Sequence, residues 1–308
     1  MKIPMNTIEV QGVKKTFGER LVLNGISLIV HKQDIYGFLG PNGSGKTTTL
    51  RILLGILQQD EGTIRVLGMN PNLAGVELRR RVNALPESHG LYGWMSPQGY
   101  LGFFARMYGT ILTPQNCQHR LHQVGLNPDD THAVNTFSQG MKQRLGIARA
   151  MINDPEVLFL DEPTNGLDPR GRREIHDLLL KLNQEREVTI VLSTHILDDV
   201  ERLCNRIAIL DRGKVRYEGR LALTDHNQPF RYRFHIQEGS QIPSSWSYPG
   251  ISLMERKDSW VTCLIDGVSP AQAIKTLLEG GLAIIEAEAL SDTIEDLYLT
   301  HTTRGADE

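Results

Sequence analysis

A glycine-rich octapeptide, residues 40–47 with the sequence GPNGSGKT, directly follows the apolar, β-branched run Ile35–Leu39. It matches the pattern GxxxxGK[ST], in which glycines let backbone N–H groups curl around the oxygen atoms of a phosphate group. Thr47–Leu57 is predicted to form a helix, whose N-terminus also favours an anion. The sequence therefore predicts a strand, a phosphate-binding loop and a helix. Lys46 and Thr47 would contact the outer phosphates of a nucleotide and its Mg²⁺.

Short apolar runs alternate with helical patterns along the first 220 residues. Val157–Leu160 and Val188–Leu192 are apolar throughout, as expected for strands buried on both faces, and Arg170–Glu185 has helical spacing of apolar residues. The other predicted strands and the other helix here are Thr7–Val13, Ile26–Val30, Thr63–Leu67, Arg206–Leu210, Lys214–Tyr217 and helix Ile196–Leu203. Residues 88–151 instead contain helical segments broken by glycine and proline. The pattern predicts an α/β fold with a mainly parallel sheet and a helical subdomain over about 88–151.

Two carboxylates, Asp161 and Glu162, follow the apolar run that begins at Val157. Ligands of open α/β sheets lie at the carboxyl ends of the strands. Asp161 is therefore predicted to bind Mg²⁺ through water, and Glu162 to hold an attacking water molecule. His195 follows another buried strand and would lie at the same edge. Taken singly, each residue also fits a structural alternative: a strand ending in a solvated turn for the carboxylates, and a packing role for His195.

Ser138 opens a predicted helix that begins with the sequence SQGMKQ and runs to about Met151. Serine is a favourable N-cap, and the first turn of a helix presents positive potential. The segment is either a plain capped helix or an anion site whose anion comes from elsewhere.

In order and spacing, these segments resemble the ATP-binding subunits of ABC transporters over roughly residues 7–222. The motifs that carry the resemblance are the Walker A loop Gly40–Thr47, the signature motif Ser138–Gln143, the Walker B segment Val157–Glu162, the D-loop Gly166–Asp168 and the switch histidine His195. Most other phosphate-loop ATPases lack the signature motif, so the resemblance is specific. It implies the P-loop NTPase fold of ABC ATPases, with a mixed, mainly parallel sheet, an antiparallel β subdomain and a helical subdomain.

The resemblance also implies roles for individual residues. The nucleotide-binding residues would be Phe17, Gly40, Pro41, Asn42, Gly43, Ser44, Gly45, Lys46, Thr47, Thr48, Ser138, Gly140 and Gln143. Phe17 holds the position of the aromatic ring that stacks on adenine, and a core position is its alternative. Thr47, Asp161 and Glu87 would bind Mg²⁺, and Glu162 and His195 would be catalytic in ATP hydrolysis.

Two positions depart from the family pattern. Glu87 stands where the family often has glutamine, and its carboxylate fits either stronger Mg²⁺ binding or repulsion of the phosphates. Gln139 replaces the first glycine of the signature pair, whereas Ser138 and Gly140 remain.

By resemblance, two copies of the chain pack head to tail as a homodimer with two ATP molecules between them. The longest apolar stretch, Leu21–Val30, is shorter than the roughly 20 residues that span a bilayer. Separate membrane-spanning permease subunits are therefore implied, with the chain on the cytoplasmic face of the cell membrane. Leu85–Glu87, Gly90–Tyr92 and the end of the chain from Ser291 to Tyr298 resemble the subgroup that serves ABC-2-type exporters of drugs, lipids, polysaccharides or ions.

Aromatic residues are concentrated just after Glu87. They are Tyr92, Trp94, Tyr100, Phe103, Phe104 and Tyr108. They either form a docking groove for a helix of the membrane partner or pack in the core.

Residues 223–308 are predicted to form a small C-terminal α+β domain, after a first domain at 1–222. The polar cluster Asp225–Pro229 marks the boundary. The predicted elements are strands Arg231–Ile236, Ser252–Glu255, Trp260–Ile265 and Leu282–Ala287, with helices Pro270–Leu278 and Ile294–Thr300.

Composition and charge limit which functions and which kinds of site the sequence supports. The 308 residues carry 33 basic and 36 acidic side chains, and a net charge of −3 gives no general attraction to nucleic acid. The three cysteines form no CxxC pair, so neither a disulfide framework nor a zinc site is predicted. The alternative function is a soluble ABC ATPase acting on ribosomes or DNA, although the chain has neither a second cassette nor a heptad run. A scaffold with an inactive nucleotide site, and import instead of export, are further alternatives.

Overall fold

The computed structural model describes residues 6–88, 90, 92–221, 230–237, 248–290 and 294–303. The chain separates into two compact units, one comprising Met1–Arg220 with His301–Glu308 and the other Leu221–Thr300. The strands of the first unit are β1 Asn6–Phe17, β2 Arg20–His31, β3 Ile35–Leu39, β4 Glu61–Val66, β5 Val82–Leu85, β6 Val157–Asp161, β7 Thr189–Thr194, β8 Arg206–Asp211 and β9 Lys214–Arg220. Its helices are α1 Lys46–Leu53, α2 Gly75–Arg81, α3 Pro97–Met107, α4 Pro114–Gln123, α5 Gln139–Ala150, α6 Pro169–Arg186 and α7 Leu197–Leu203.

A six-stranded sheet with the order β5-β6-β7-β3-β8-β9 organises the first unit. The first five strands in this order are parallel, and β9 pairs antiparallel with β8. The sheet is thus mixed and mainly parallel, as predicted. β3 and β7 are buried along their whole length, and β6 is buried up to Leu160, which confirms strands covered on both faces. Because parallel strands end at one edge, the loops after β3, β6 and β7 meet there.

The predicted antiparallel subdomain is a three-stranded sheet in the order β2-β1-β4. β1 continues to Phe17 and β2 begins at Arg20, so both strands are longer than the alternation predicts. The register shifts between Val10 and Val13, where Gly12 has a φ of 60°. The alternation of buried and exposed side chains breaks at this irregularity. A search for residues that alternate with a period of two therefore does not detect the rest of the strand.

Helix α1 ends at Leu53, so the predicted end at Leu57 is wrong. The chain turns at Gly55, where φ is 66°, and the apolar run continues because Leu54 and Leu57 still pack against the core. α2 and β5 have no counterpart in the prediction. With seven and four residues, they are too short to establish a periodicity.

Between β5 and β6 the chain forms α3, α4 and α5, which confirms the predicted helical segment. Each helix begins after a side-chain oxygen that accepts a backbone N–H group, at Ser96, Thr113 and Ser138. Among the aromatic residues of this segment, Tyr100 is fully buried, whereas Tyr92 is 43% and Trp94 is 74% exposed. The rings of Tyr92, Phe103 and Phe104 contact one another, so the aromatic residues pack mainly among themselves.

The second unit has its own sheet and core. Its elements are β10 Phe230–Ile236, β11 Ile251–Lys257, β12 Trp260–Ile265, α8 Pro270–Glu279 and β13 Ile284–Leu290. The last helix, α9 Ile294–Thr303, belongs to this unit up to Thr300. The antiparallel order β11-β12-β10-β13 buries Phe234 and Val261 against Leu277 of α8. The last strand begins two residues later than predicted, at Ile284. The predicted boundary cluster 225–229 and residues 291–293 of the terminal motif lie outside the described residues, as does Leu91.

All three cysteines, Cys117, Cys204 and Cys263, are buried and free. Burial raises the pKa of each thiol, that of Cys263 to about 12, so thiolate chemistry at neutral pH is disfavoured. Among the described residues, no helix combines the length and apolar character needed to cross a membrane.

Candidate nucleotide site

A cavity of about 560 Å³ opens where β3, β6 and β7 end. The predicted site residues that line it are Phe17, Asn42, Gly43, Gly45, Lys46, Thr47, Thr48, Glu87, Glu162 and His195. Four further lining residues, which sequence reasoning missed, are Arg20, Val22, Arg51 and Asn165. Residues that are distant in sequence thus meet at the predicted sheet edge.

The loop between β3 and α1 lies tightly against the sheet. A Cβ atom on Gly40 would lie 2.2 Å from the carbonyl oxygen of Leu210, so only glycine fits there. Gly45, with a φ of 111°, turns the chain into α1, whose first residues line the cavity. The hydroxyl of Ser44 is buried and has no hydrogen-bond partner among the residues the structure describes. An unpaired buried hydroxyl beside a helix N-terminus fits a phosphate oxygen.

The Gly40→Ala variant is expected to be less stable than the unmodified protein, because the added methyl group would overlap backbone atoms of β8. Such overpacking costs about 1–3 kcal/mol, measured as the free energy of unfolding in urea. Gly102 in α3 is a matched control, because a Cβ atom there meets nothing within 4 Å. Gly102→Ala should gain about 0.5–1 kcal/mol from helix propensity. Equal stabilities of the two variants would contradict the close approach of Gly40 to Leu210.

Lys46 lies almost fully buried at the start of α1. Its Nζ donates hydrogen bonds to the carbonyl oxygens of Gly40 at 2.7 Å and Pro41 at 3.3 Å, and lies 3.6 Å from Oε1 of Glu162. Burial lowers the pKa of Lys46, and the carboxylates of Glu162 and Asp161 act in the opposite direction. The ammonium group is thus held at the phosphate loop by carbonyl oxygens and by a carboxylate.

Thr47 and Asp161 present oxygen donors next to Lys46. Thr47 Oγ1 donates to Asp161 Oδ1 at 3.1 Å, and Ser193 Oγ donates to the same oxygen at 2.5 Å. Mg²⁺ prefers hard oxygen ligands and usually combines one or two protein donors with substrate phosphates and water. The donor set therefore fits Mg²⁺ bound together with a nucleotide.

Glu162 follows β6 with a φ of 51°, a left-handed conformation that is uncommon for residues other than glycine. Its N–H group donates to the carbonyl oxygen of Ser193 at 3.0 Å, which fixes this turn. Oε2 of Glu162 lies 2.9 Å from Nδ1 of His195, and its other carboxylate oxygen lies near Lys46. A carboxylate held between an ammonium group and an imidazole at a phosphate loop can orient a water molecule and accept its proton.

Glu87 lies at the cavity in the segment after β5. Its Oε1 accepts a hydrogen bond from Nδ2 of Asn165 at 3.1 Å, which links this segment to the loop that follows Glu162. A glutamine side-chain oxygen can accept the same bond. The departure from the family pattern therefore preserves this contact and adds a negative charge.

Phe17 is the last residue of β1, where it is 48% exposed and lines the cavity. The alternative of a core position is therefore wrong. Lys15 Nζ lies 5.6 Å from the centre of the ring. An exposed ring at a cavity wall offers a stacking face for a nucleotide base.

Ser138 and Gly140 line a second cavity of about 550 Å³, together with Asp168. Ser138 Oγ accepts the N–H group of Met141 at 3.2 Å, and Asp168 Oδ1 accepts that of Gly171 at 2.8 Å, so α5 and α6 both begin here. The two cavities share no lining residue. The predicted nucleotide contacts thus fall into two separate sets within one chain.

Gln143 lies apart from both sets. It is 3% exposed, and no hydrogen-bond partner of its amide nitrogen occurs within the described ranges. It lines neither cavity, so its side chain faces the interior of the helical segment.

Known proteins are similar to this chain in sequence and in fold. A protein-family model described as ABC transporter matches residues 23–165. The ABC transporter ATP-binding protein YhcH of Bacillus subtilis strain 168 is 32% identical over 295 residues, which cover 96% of this chain and 95% of that protein. This chain belongs to the family of ABC transporter ATP-binding proteins.

Two more relatives are informative about this ABC transporter subunit. Nod factor export ATP-binding protein I of Paraburkholderia xenovorans strain LB400 is 41% identical over 222 residues, which cover 70% of this chain and 72% of that protein. The solved dimeric structure of the ATP-binding cassette MJ0796, in a post-hydrolysis state with ADP and Pi, matches with 26% identity and a TM-score of 0.62. This match covers 70% of our chain and 98% of the solved one. The ABC subunit therefore hydrolyses ATP to power transport, and its family works with membrane components.

Proposed function

We propose that the chain is the cytoplasmic ATPase subunit of an exporter and acts as a homodimer. Each ATP would lie between the Lys46 cavity of one copy and the Ser138 cavity of the other. The separation of these two sets within one chain carries the proposal. The first turn of α5 contains no acidic side chain, and its capped N-terminus suits a γ-phosphate that a second copy brings. The dimeric cassette with ADP and Pi supports this arrangement, and the Nod factor export relative supports export.

In the closed dimer, Lys46 neutralises the outer phosphates and Phe17 stacks on adenine. Glu162 orients the attacking water and accepts its proton, and His195 holds the carboxylate through the 2.9 Å contact. Thr47 and, through water, Asp161 would hold Mg²⁺, which would supply charge neutralisation at the phosphates. Positioning and electrostatics supply most of the catalysis of phosphoryl transfer, so hydrolysis would require closure. Opening after hydrolysis would then move the membrane partner.

The membrane partner would dock at an apolar groove beside α2 and α3. Ile56, Val76 and Met107 line this groove and are 64% to 72% exposed, and Arg79 and Arg80 add positive charge to its wall. An amphipathic helix with acidic residues, presented by a permease subunit, fits an apolar surface with this charge. Of the aromatic residues predicted for docking, Tyr108 lines the groove.

Co-purification from gently solubilised native membranes tests the assembly. Tagged Glu162→Gln protein with ATP is expected to recover a polytopic membrane protein that lacks its own ATPase domain, identified by mass spectrometry. Val76→Asp, which places a negative charge in the groove, should lose that protein. Leu73→Asp is the control, because Leu73 is also exposed but lines no cavity described here. Recovery of ribosomes or DNA with only soluble proteins would contradict the exporter proposal.

A further inference from the structure

Asp199 of α7 is a fully buried carboxylate outside the nucleotide cavity. It accepts hydrogen bonds from the hydroxyl groups of Thr164 and Thr194, the latter at 2.9 Å. Its other oxygen lies 2.8 Å from Nε2 of His176 in α6. A buried carboxylate is costly unless its oxygens are hydrogen-bonded. Here three side chains from three different segments provide those bonds.

The position of these partners in the chain is informative. Thr164 lies two residues after Glu162, and Thr194 directly precedes His195. Thr194 Oγ1 also accepts the N–H group of Ile196 at 3.0 Å, so it fixes the backbone on both sides of His195. The Asp199 carboxylate therefore holds two loops, one that carries Glu162 and one that carries His195.

His176 is the third side chain that contacts the Asp199 carboxylate. It is 2% exposed, and its Nδ1 is buried without a hydrogen-bond partner among the described residues. A carboxylate offers only acceptors, so Nε2 carries the hydrogen towards Asp199. Within the described ranges, the polar contact of the ring is with Asp199, and His176 is not among the residues that line the nucleotide cavity.

We propose that His176 and Asp199 are positioning residues for ATP hydrolysis. Through the hydroxyl groups of Thr164 and Thr194, they hold the two loops in the register that brings Glu162 and His195 to 2.9 Å. The proposal rests on the proposed roles of Glu162 and His195. A displacement of a reacting group by about 1 Å costs up to about 100-fold in rate. Loss of the pair should therefore lower kcat, while the residues that bind ATP stay in place.

Steady-state hydrolysis and ATP binding by the full chain test this proposal. His176→Phe keeps a planar ring but removes the donor to Asp199, and we expect kcat to fall by about 10- to 100-fold with KM for ATP little changed. His176→Gln retains an N–H donor at the end of the side chain and should restore most of kcat. Thr194→Val removes the hydroxyl that donates to Asp199 and accepts the N–H group of Ile196, and it should reproduce the loss if His176→Phe fails to fold.

Asp34→Asn is the matched control. Asp34 is also buried and accepts hydrogen bonds from the His31 backbone and Asn205, but it precedes β3, at the opposite end of the sheet. Its variant should hydrolyse ATP at the unmodified rate. Unchanged kcat in both His176→Phe and Thr194→Val, or an equal loss in Asp34→Asn, would overturn the positioning role. If Glu162→Gln still abolished hydrolysis in that case, the proposed function would stand and only this inference would fail.

Discussion

ATP hydrolysis is expected to fall by about 10²- to 10⁴-fold in the Glu162→Gln variant, the usual range for loss of a general base. Glutamine keeps the shape of the side chain but cannot accept a proton from water at neutral pH. Lys46, Thr47 and the phosphate loop remain, so ATP should bind with nearly unchanged affinity. Without hydrolysis, the ATP-bound dimer should accumulate. Phosphate release, nucleotide titration and light scattering with ATP measure the three effects.

Glu156, which directly precedes β6, provides a matched control for Glu162, which directly follows it. It lies at the amino end of β6, where its carboxylate pairs with Arg81 at 2.5 Å and both side chains are partly exposed. Glu156→Gln removes a carboxylate at the far end of the strand, and exposed ion pairs contribute at most about 1 kcal/mol. We expect its hydrolysis rate to match that of the unmodified chain. Equal rates for Glu162→Gln and the unmodified chain would contradict the role of Glu162 as the base.

The sequence predicts the parts of the site that lie within one continuous segment of the chain. The phosphate loop is one continuous octapeptide, and the ends of two fully apolar strands identify Asp161, Glu162 and His195. Parallel strands end at one edge, so the rule that ligands lie there brings these segments together. The 2.9 Å contact between Glu162 and His195 agrees with that prediction.

No sequence pattern marks the residues that reach the site, or contact each other, from different segments of the chain. Arg20 and Asn165 line the cavity through the β1–β2 turn and the loop after β6, but neither stands in a pattern that marks it. The contact between His176 and Asp199 joins residues 23 positions apart on two helices, where each residue alone reads as an ordinary helix residue. Pairing of this kind depends on how α6 and α7 pack, and periodicity within one helix carries no information on it.

The proposed docking surface for the membrane partner is also poorly predicted from the sequence. Aromatic composition directs attention to residues 92–108, yet Tyr100 is in the core and the rings of Tyr92, Phe103 and Phe104 contact one another. The open groove is instead largely aliphatic, with Ile56 from the turn after α1 and Val76 from α2. The turn after α1 is also where the predicted helix end is wrong. The same early end of α1 leaves Ile56 exposed at the groove instead of on a helix face.

ATP affinity is expected to fall by about 30-fold or more in the Lys46→Ala variant. The side chain is buried, with Nζ held between the carbonyl oxygen of Gly40 and the carboxylate of Glu162. In the ATP complex, the ammonium group would pair with the phosphates, and removing one member of such a buried charge pair costs about 2–5 kcal/mol of binding free energy. Each 1.4 kcal/mol is about tenfold in affinity. Without the ammonium group, Glu162 and Asp161 would also face the phosphates with less compensation, which acts in the same direction. Titration with a fluorescent ATP analogue measures the change.

Lys32→Ala is the control for the loss of one positive charge. Lys32 is exposed and pairs with Glu187 at 3.2 Å, and it does not line the nucleotide cavity. Its removal changes the net charge as much as Lys46→Ala does, so a general electrostatic effect would weaken ATP binding equally in both variants. We expect unmodified affinity for Lys32→Ala. Unmodified affinity for Lys46→Ala would instead mean that the N-terminus of α1 and the loop amides hold the phosphates without the lysine.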